Sequence, residues 1–145
     1  TQDTRISTIV LNLSNLRSAG VSKMTAIGNA LNEFKAAGKQ VIAMENGYSQ
    51  NQYFLASYAD TIFLNTKGMV SLDGLSRYRL FYKSALEKLK INTHVFRVGT
   101  FKSAVEPFIR DDMSDADKEA SNQLLADIWE SYSSIVAKNR GLSPD

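Results

Sequence analysis

Apolar, β-branched runs alternate with stretches of helical periodicity along this chain, and that alternation limits the fold more than any other feature. Ile6 to Leu13 is apolar without clean alternation, the pattern of a strand covered on both faces. Ser22 is placed to cap a helix in which Ala26, Ile27, Ala30, Leu31 and Phe34 recur at helical spacing, with Gly38 as its stop. Val41 to Met44 is a second short apolar run, Glu45-Asn46-Gly47 signals a turn, and Ser49 to Ala59 reads as a short helix leading into a third strand, Thr61 to Leu64. After a glycine-containing loop or short extended segment from Lys67 to Gly74, the residues Tyr78, Phe81, Tyr82, Ala85, Leu86 and Leu89 mark one face of a further helix. His94 to Val98 predicts a fourth strand. Ser114 opens the last helix, with Asp115, Asp117 and Glu119 at the positive end of its dipole and Gly141 as its stop. Its stripe of Leu124, Leu125, Ile128, Tyr132, Ile135 and Val136 is suited to cover a sheet or a neighbouring subunit. Strands separated by helices favour an α/β fold with a mostly parallel sheet and βα units packed by helices.

At 145 residues the chain is long enough to fold as a single domain, 1–145, without disulfide or metal staples. With 43% hydrophobic and 22% charged residues and only two prolines, it falls outside the disordered and low-complexity classes. A net charge of +2, spread along the chain, argues against a nucleic-acid partner, and no basic stripe flanks the aromatic pairs Tyr53-Phe54 and Phe81-Tyr82, which read as core. No apolar run reaches membrane-span length; the best, Thr8 to Leu13, is short and holds Asn12. The start at Thr1 rather than Met, and the end in a turn-like Ser143-Pro144-Asp145, read as a piece of a longer polypeptide.

Most catalytic kits are missing. There is no cysteine and one histidine, His94, so thiol chemistry and ordinary zinc sites are excluded and a Ser-His-Asp triad has little to draw on. No glycine-rich phosphate loop is present, and no cofactor is implied. Asp111, Asp112, Asp115 and Asp117 lack the glycine and distal glutamate of a calcium loop and read as helix capping. One segment stands apart: Arg97-Val98-Gly99-Thr100-Phe101-Lys102-Ser103-Ala104-Val105-Glu106-Pro107-Phe108 sets a lysine among apolar residues just past an expected strand end, where ligand sites form in open α/β sheets. A desolvated lysine can become a neutral base for a serine hydroxyl, which is the Ser-Lys variant of nucleophilic catalysis. A solvated loop lysine is the alternative from physics alone.

The same segment resembles the signature of the signal peptide peptidase A (protease IV) family, in the amino-terminal half of its long, duplicated form. The resemblance extends over Arg5-Ile6, Ile9 to Leu13, Glu33-Phe34, Gly38 to Ala43 and Tyr53 to Asp60. It implies a fold of the crotonase and Clp-protease type and a serine peptidase in which the two halves share the dyad. Lys102 matches the general base, and the nucleophilic serine is expected from the carboxyl-terminal half of the same polypeptide. Phe101, Val105 and Phe108 are expected to help screen the lysine from water. The resemblance also implies hydrophobic peptide substrates such as cleaved signal peptides, a homotetramer, and attachment to the periplasmic face of the bacterial inner membrane by an anchor outside this sequence. The family's nucleophile sits in a turn of the type Ala-Ser-Gly-Gly-Tyr. The corresponding stretch here is Tyr48-Ser49-Gln50-Asn51-Gln52-Tyr53, so Gln50 occupies the nucleophile's slot, both glycines are replaced, and Ser49 is one residue out of place. The competing expectation is a catalytically inert assembly module with a structural Lys102; an acyl-thioester enzyme of the crotonase group is a weaker third.

Overall fold

The alternating runs of the sequence become β1 (Thr8–Leu11), α1 (Val21–Ala36), β2 (Gln40–Glu45), β3 (Tyr48–Ser49), α2 (Gln50–Ala56), β4 (Thr61–Leu64), β5 (Val70–Ser71), α3 (Lys83–Lys88), α4 (Glu106–Ile109) and α5 (Asp115–Arg140). They are seen in a computed structural model that describes residues 3–96, 98, 99 and 102–143. Two compact units result: one runs through Gly74 and resumes at Trp129, and the other spans Leu75–Ile128.

In the first unit β2 lies between β1 and β4, and both pairings are parallel, as the intervening helices require. The register sets Ile9 beside Val41, and Leu11 beside Ala43, which in turn pairs with Ile62. Val41 and Ala43 are wholly buried on that face. Side chains alternate along a strand, so Val10, Met44 and Phe63 share the opposite face, where they are 60%, 57% and 51% exposed. Within this unit, then, the first strand is covered on one face and not on both, and it is shorter than the apolar run that encodes it.

Helix α1 starts one residue before the expected cap: Gly20, in extended conformation, is the N-cap, and Ser22 lies in the first turn. Gly38 ends it at φ 76°, a left-handed conformation that glycine adopts without penalty. Its buried stripe is Met24, Gly28, Leu31 and Phe34, while Ile27 stays half exposed. Gly28 is there because Tyr58 leaves no room for a side chain; a Cβ would meet the ring at 2.2 Å. Tyr58 packs on Phe54, with ring centroids 5.9 Å apart, and Phe54 on Tyr132 of α5 at 5.4 Å. Sealing Phe54 completely from water contributes about 1.5–3 kcal/mol and fixes α2 against the core.

The second unit departs from the sequence reading twice. Of the helix expected from Tyr78 to Leu89, only Lys83–Lys88 is helical. The amphipathic face that should have stabilised a longer helix has little to pack on, since Tyr78 and Leu80 are 92% and 72% exposed, and such helices owe their stability to packing. Asp111 takes over the start of α3, accepting the Ser84 backbone N–H at 2.9 Å and its hydroxyl at 2.6 Å. The expected strand from His94 to Val98 is also not formed by its described residues; Arg97 lies outside them. Phe96 and Val98 are almost fully exposed, and a β-branched run without a neighbouring strand has no ladder to join. Helix α5 does begin after Ser114, whose hydroxyl accepts the Asp117 backbone N–H at 3.1 Å, and Gly141 closes it at φ 65°.

Candidate functional site

Lys102 lies in the second unit, just before the turn that leads into α4. Its stem runs past Gly99, where the lysine Cγ, Cδ and Cε are 3.8–4.0 Å from the point a Cβ would occupy. Gly99 has φ 105°, a conformation that strains any other residue, so the backbone bend that brings the lysine stem alongside depends on glycine. Lys102, Ser103, Ala104 and Val105 line a cavity of about 460 Å³ together with Arg79, Phe96 and Val98. The lysine itself is exposed, Val105 is half-buried and Phe108 is 44% exposed. Phe101, the remaining candidate for screening the lysine, lies outside the described residues.

The chain immediately after Lys102 is held by buried polar groups. The Ser103 hydroxyl donates to Asp117 Oδ1 at 2.7 Å, and both residues are buried. The Ser103 carbonyl accepts from Arg79 Nη1 at 2.9 Å and from the Glu106 backbone N–H at 3.0 Å. Asp117 also faces two guanidinium groups, Arg77 Nη1 at 3.5 Å and Arg79 Nη1 at 3.3 Å. Arg77 in turn donates to the Ser121 hydroxyl at 2.6 Å. Glu106, 1% exposed, accepts from the Ser114 hydroxyl at 2.5 Å and from the Ser114 backbone N–H at 3.1 Å. Burial alone would raise the Glu106 pKa, but the two bonds from Ser114 outweigh it and hold the carboxyl below its usual range. The lysine is thus attached to a rigid base: Ser103 and Glu106 are both tied to the start of α5.

The stretch from Tyr48 to Tyr53, which the resemblance aligns with the nucleophile's turn, belongs to the first unit. Gln50 opens α2, and its side-chain amide pairs both ways with Gly74: Oε1 accepts the Gly74 N–H at 2.9 Å and Nε2 donates to the Gly74 carbonyl at 3.3 Å. Gln52 bridges similarly, accepting the Ser49 backbone N–H at 2.8 Å and donating to the Leu13 carbonyl at 2.9 Å. The Gln50 carbonyl is engaged by Tyr132 Oη at 2.9 Å. Burial, with the Tyr53 phenol nearby, pushes the Tyr132 pKa up to about 12, which keeps it a hydrogen-bond donor at all physiological pH values. Ser49 is the N-cap of α2. Gln50 and Gln52 therefore fasten neighbouring loops through their side-chain amides.

The other candidates disperse. His94 is exposed on an irregular segment. The aspartates serve separate roles: Asp111 caps α3, Asp112 pairs with Arg110 at 2.8 Å, Asp115 with Lys118 at 3.1 Å, and Asp117 joins the arginines. Among the described residues no group of three or more His, Cys, Asp or Glu is placed to hold a metal ion, and no helix is long and apolar enough to cross a membrane.

Arg77 and Arg79 escaped the sequence reading, and the reason is conformational. On a helix, residues two apart diverge, whereas in the extended chain that precedes α3 they fall on one side and reach the same carboxylate. The signal was the Arg-x-Arg spacing itself, hidden by the expectation of a helix beginning at Tyr78.

A parallel sheet with helical crossovers, followed by a lysine-bearing loop tied to a long helix, is the α/β architecture of the Clp-protease and crotonase type. Residues 33–145 match peptidase family S49, and the chain belongs to that family. It is 51% identical over 142 residues to Protease 4 of Salmonella typhi and 46% identical over 143 residues to Protease 4 of Haemophilus influenzae. These alignments take in 98% and 99% of the chain but 23% of each relative, so the chain spans about a quarter of the length of the proteins it matches. A third relative, the chloroplastic serine protease SPPA of Arabidopsis thaliana, is 27% identical over 96% of the chain and 20% of its own length.

Proposed function

We propose that this chain is the base-donating part of a membrane-associated serine peptidase that cleaves hydrophobic peptides, including cleaved signal peptides. Lys102 is the general base, and the carboxyl-terminal half of the same polypeptide supplies the nucleophilic serine. The observation that carries this reading is the placing of Lys102 on an open groove that it shares with Phe96, Val98 and Arg79, next to a segment fixed by buried hydrogen bonds. In the reaction the lysine Nζ, as a neutral amine, takes the proton from the serine hydroxyl as Oγ attacks the peptide carbonyl. The resulting ammonium then returns that proton to the leaving nitrogen as the C–N bond breaks. Lys102 is exposed in this chain, so the desolvation that favours a neutral amine has to come from the rest of the polypeptide and from bound peptide. The apolar Phe96 and Val98 at the cavity suit a hydrophobic substrate. Assembly as a homotetramer at the periplasmic face of the inner membrane completes the proposal.

A second reading is favoured by Gln50, whose amide is spent on Gly74: the chain could serve assembly alone. Hydrolysis of a fluorogenic hydrophobic peptide by the full-length protein separates the two. With Lys102→Met, which keeps the apolar stem and removes the amine, the dyad reading expects a folded protein with activity reduced by several orders of magnitude. Near-native hydrolysis would leave the chain as a scaffold.

A further inference from the structure

We propose that Ser103 and Asp117 are positioning residues for Lys102, acting as a buried latch that sets where the amine stands; this rests on the reading of Lys102 as the base. Ser103 is the next residue along the chain, so its backbone lies one Cα–Cα step, about 3.8 Å, from that of the lysine. Its side chain and its carbonyl are both committed: the hydroxyl to Asp117 Oδ1, the carbonyl to Arg79 Nη1 and the Glu106 N–H. A residue held through both groups has little freedom to rotate, and it passes that constraint to the backbone from which Lys102 springs.

Asp117 is the anchor. It is 3% exposed, sits in the first turn of a 26-residue helix where negative charge is favoured, and has its own N–H held by Ser114. Two guanidinium groups balance its charge, and one of them, from Arg79, lines the same cavity as Lys102. Arg79 therefore links the Asp117 carboxylate, the Ser103 carbonyl and the cavity wall. A core that needed only stability could fill this volume with apolar side chains; a fully bonded polar cluster fixes one geometry more sharply. Lysine has four rotatable side-chain bonds, and a base must meet its hydroxyl within hydrogen-bond reach, so an unlatched backbone would spread the amine over many positions.

The test uses the full-length enzyme and a fluorogenic hydrophobic peptide, with kcat and KM measured separately for Ser103→Ala, Ser103→Thr and Lys102→Met and each value normalised to folded protein. Misplacement of a catalytic group predicts that Ser103→Ala lowers kcat about tenfold or more while KM stays within about twofold, and that Ser103→Thr, which restores the hydroxyl, recovers most of the loss. Adding Ser103→Ala to Lys102→Met should then change nothing further. The latch is refuted if folded Ser103→Ala keeps native kcat while Lys102→Met is inactive. If Lys102→Met is itself active, the reading of the base fails instead. Should Ser103→Ala not fold, Arg79→Gln breaks the bond to the Ser103 carbonyl and is judged by the same kcat and KM criteria.

Discussion

Replacing Gly28 by alanine should destabilise the chain, although on an exposed helix the same change would stabilise it. Alanine in a helix interior is favoured over glycine by about 1 kcal/mol, because glycine loses more backbone entropy on folding. At Gly28 that gain is opposed by a collision: the new Cβ would lie 2.2 Å from Tyr58 Cζ and 2.4 and 2.5 Å from its two Cε atoms. The ring cannot swing aside, since Tyr58 is 3% exposed and packs on Phe54, which is itself wholly buried. Overpacking of this kind costs about 1–3 kcal/mol and sometimes more, and contact with three ring atoms puts it in the upper part of that range. A net loss of about 1–2 kcal/mol follows, equivalent to a fall in Tm of about 2–8 °C for a chain of this size. The decisive comparison is a thermal-denaturation cycle with Tyr58→Ala. Removing the ring relieves the collision, so Gly28→Ala should be neutral or stabilising in that background and destabilising in the native one. A rise in Tm for Gly28→Ala alone, or the same shift in both backgrounds, would refute the close approach of α1 to Tyr58.

Gln50→Ala removes both bonds to Gly74 and should lower stability by about 1–3 kcal/mol, while leaving peptide hydrolysis by the full-length protein within about twofold; Tm and turnover measured on the same preparation check this. Glu106 has its pKa lowered in the folded chain, so its contribution is fully present above the ordinary carboxylate range and is lost as pH falls through the folded value. Unfolding midpoints followed from pH 7 downward should therefore drop less steeply for Glu106→Gln than for the native protein over the acid part of the range. Phe54→Ala should cost about 3–5 kcal/mol in a chemical-denaturation experiment, because the emptied volume lies between Tyr58 and Tyr132.

How far the sequence could be read depended on where each side chain finds its neighbours. In the first unit Val41, Ala43, Phe34 and Phe54 pack against one another within the chain, and there β1, β2 and β4, the helices between them and their parallel order were legible from periodicity, whereas the two-residue pairing of β3 with β5 was too short to leave a periodic signal. In the second unit Tyr78, Leu80, Phe96 and Val98 carry the same apolar signals but stand exposed, and it is there that the long helix and the fourth strand did not form. The candidate site divides in the same way. Lys102 and the Glu106-Pro107 pair stood out through their family resemblance, which also drew attention to the stretch around Gln50. The Ser103, Asp117 and arginine cluster was not legible, because it depends on residues up to 44 positions apart brought together by an irregular chain. Asp117 was read only as a dipole-compensating first-turn residue; the structure adds two arginines and a serine to that role.

The central claim is that Lys102 activates a serine lying outside these residues, and covalent labelling tests it most directly. Full-length protein treated with a serine-directed fluorophosphonate and mapped by peptide mass spectrometry should carry the adduct at a single serine beyond this chain, with Ser49 unmodified. In Lys102→Met, correctly folded, that labelling should fall by several orders of magnitude in rate, because the hydroxyl has lost its proton acceptor. An adduct on Ser49, or undiminished labelling of the distant serine in the Lys102→Met protein, would contradict the account.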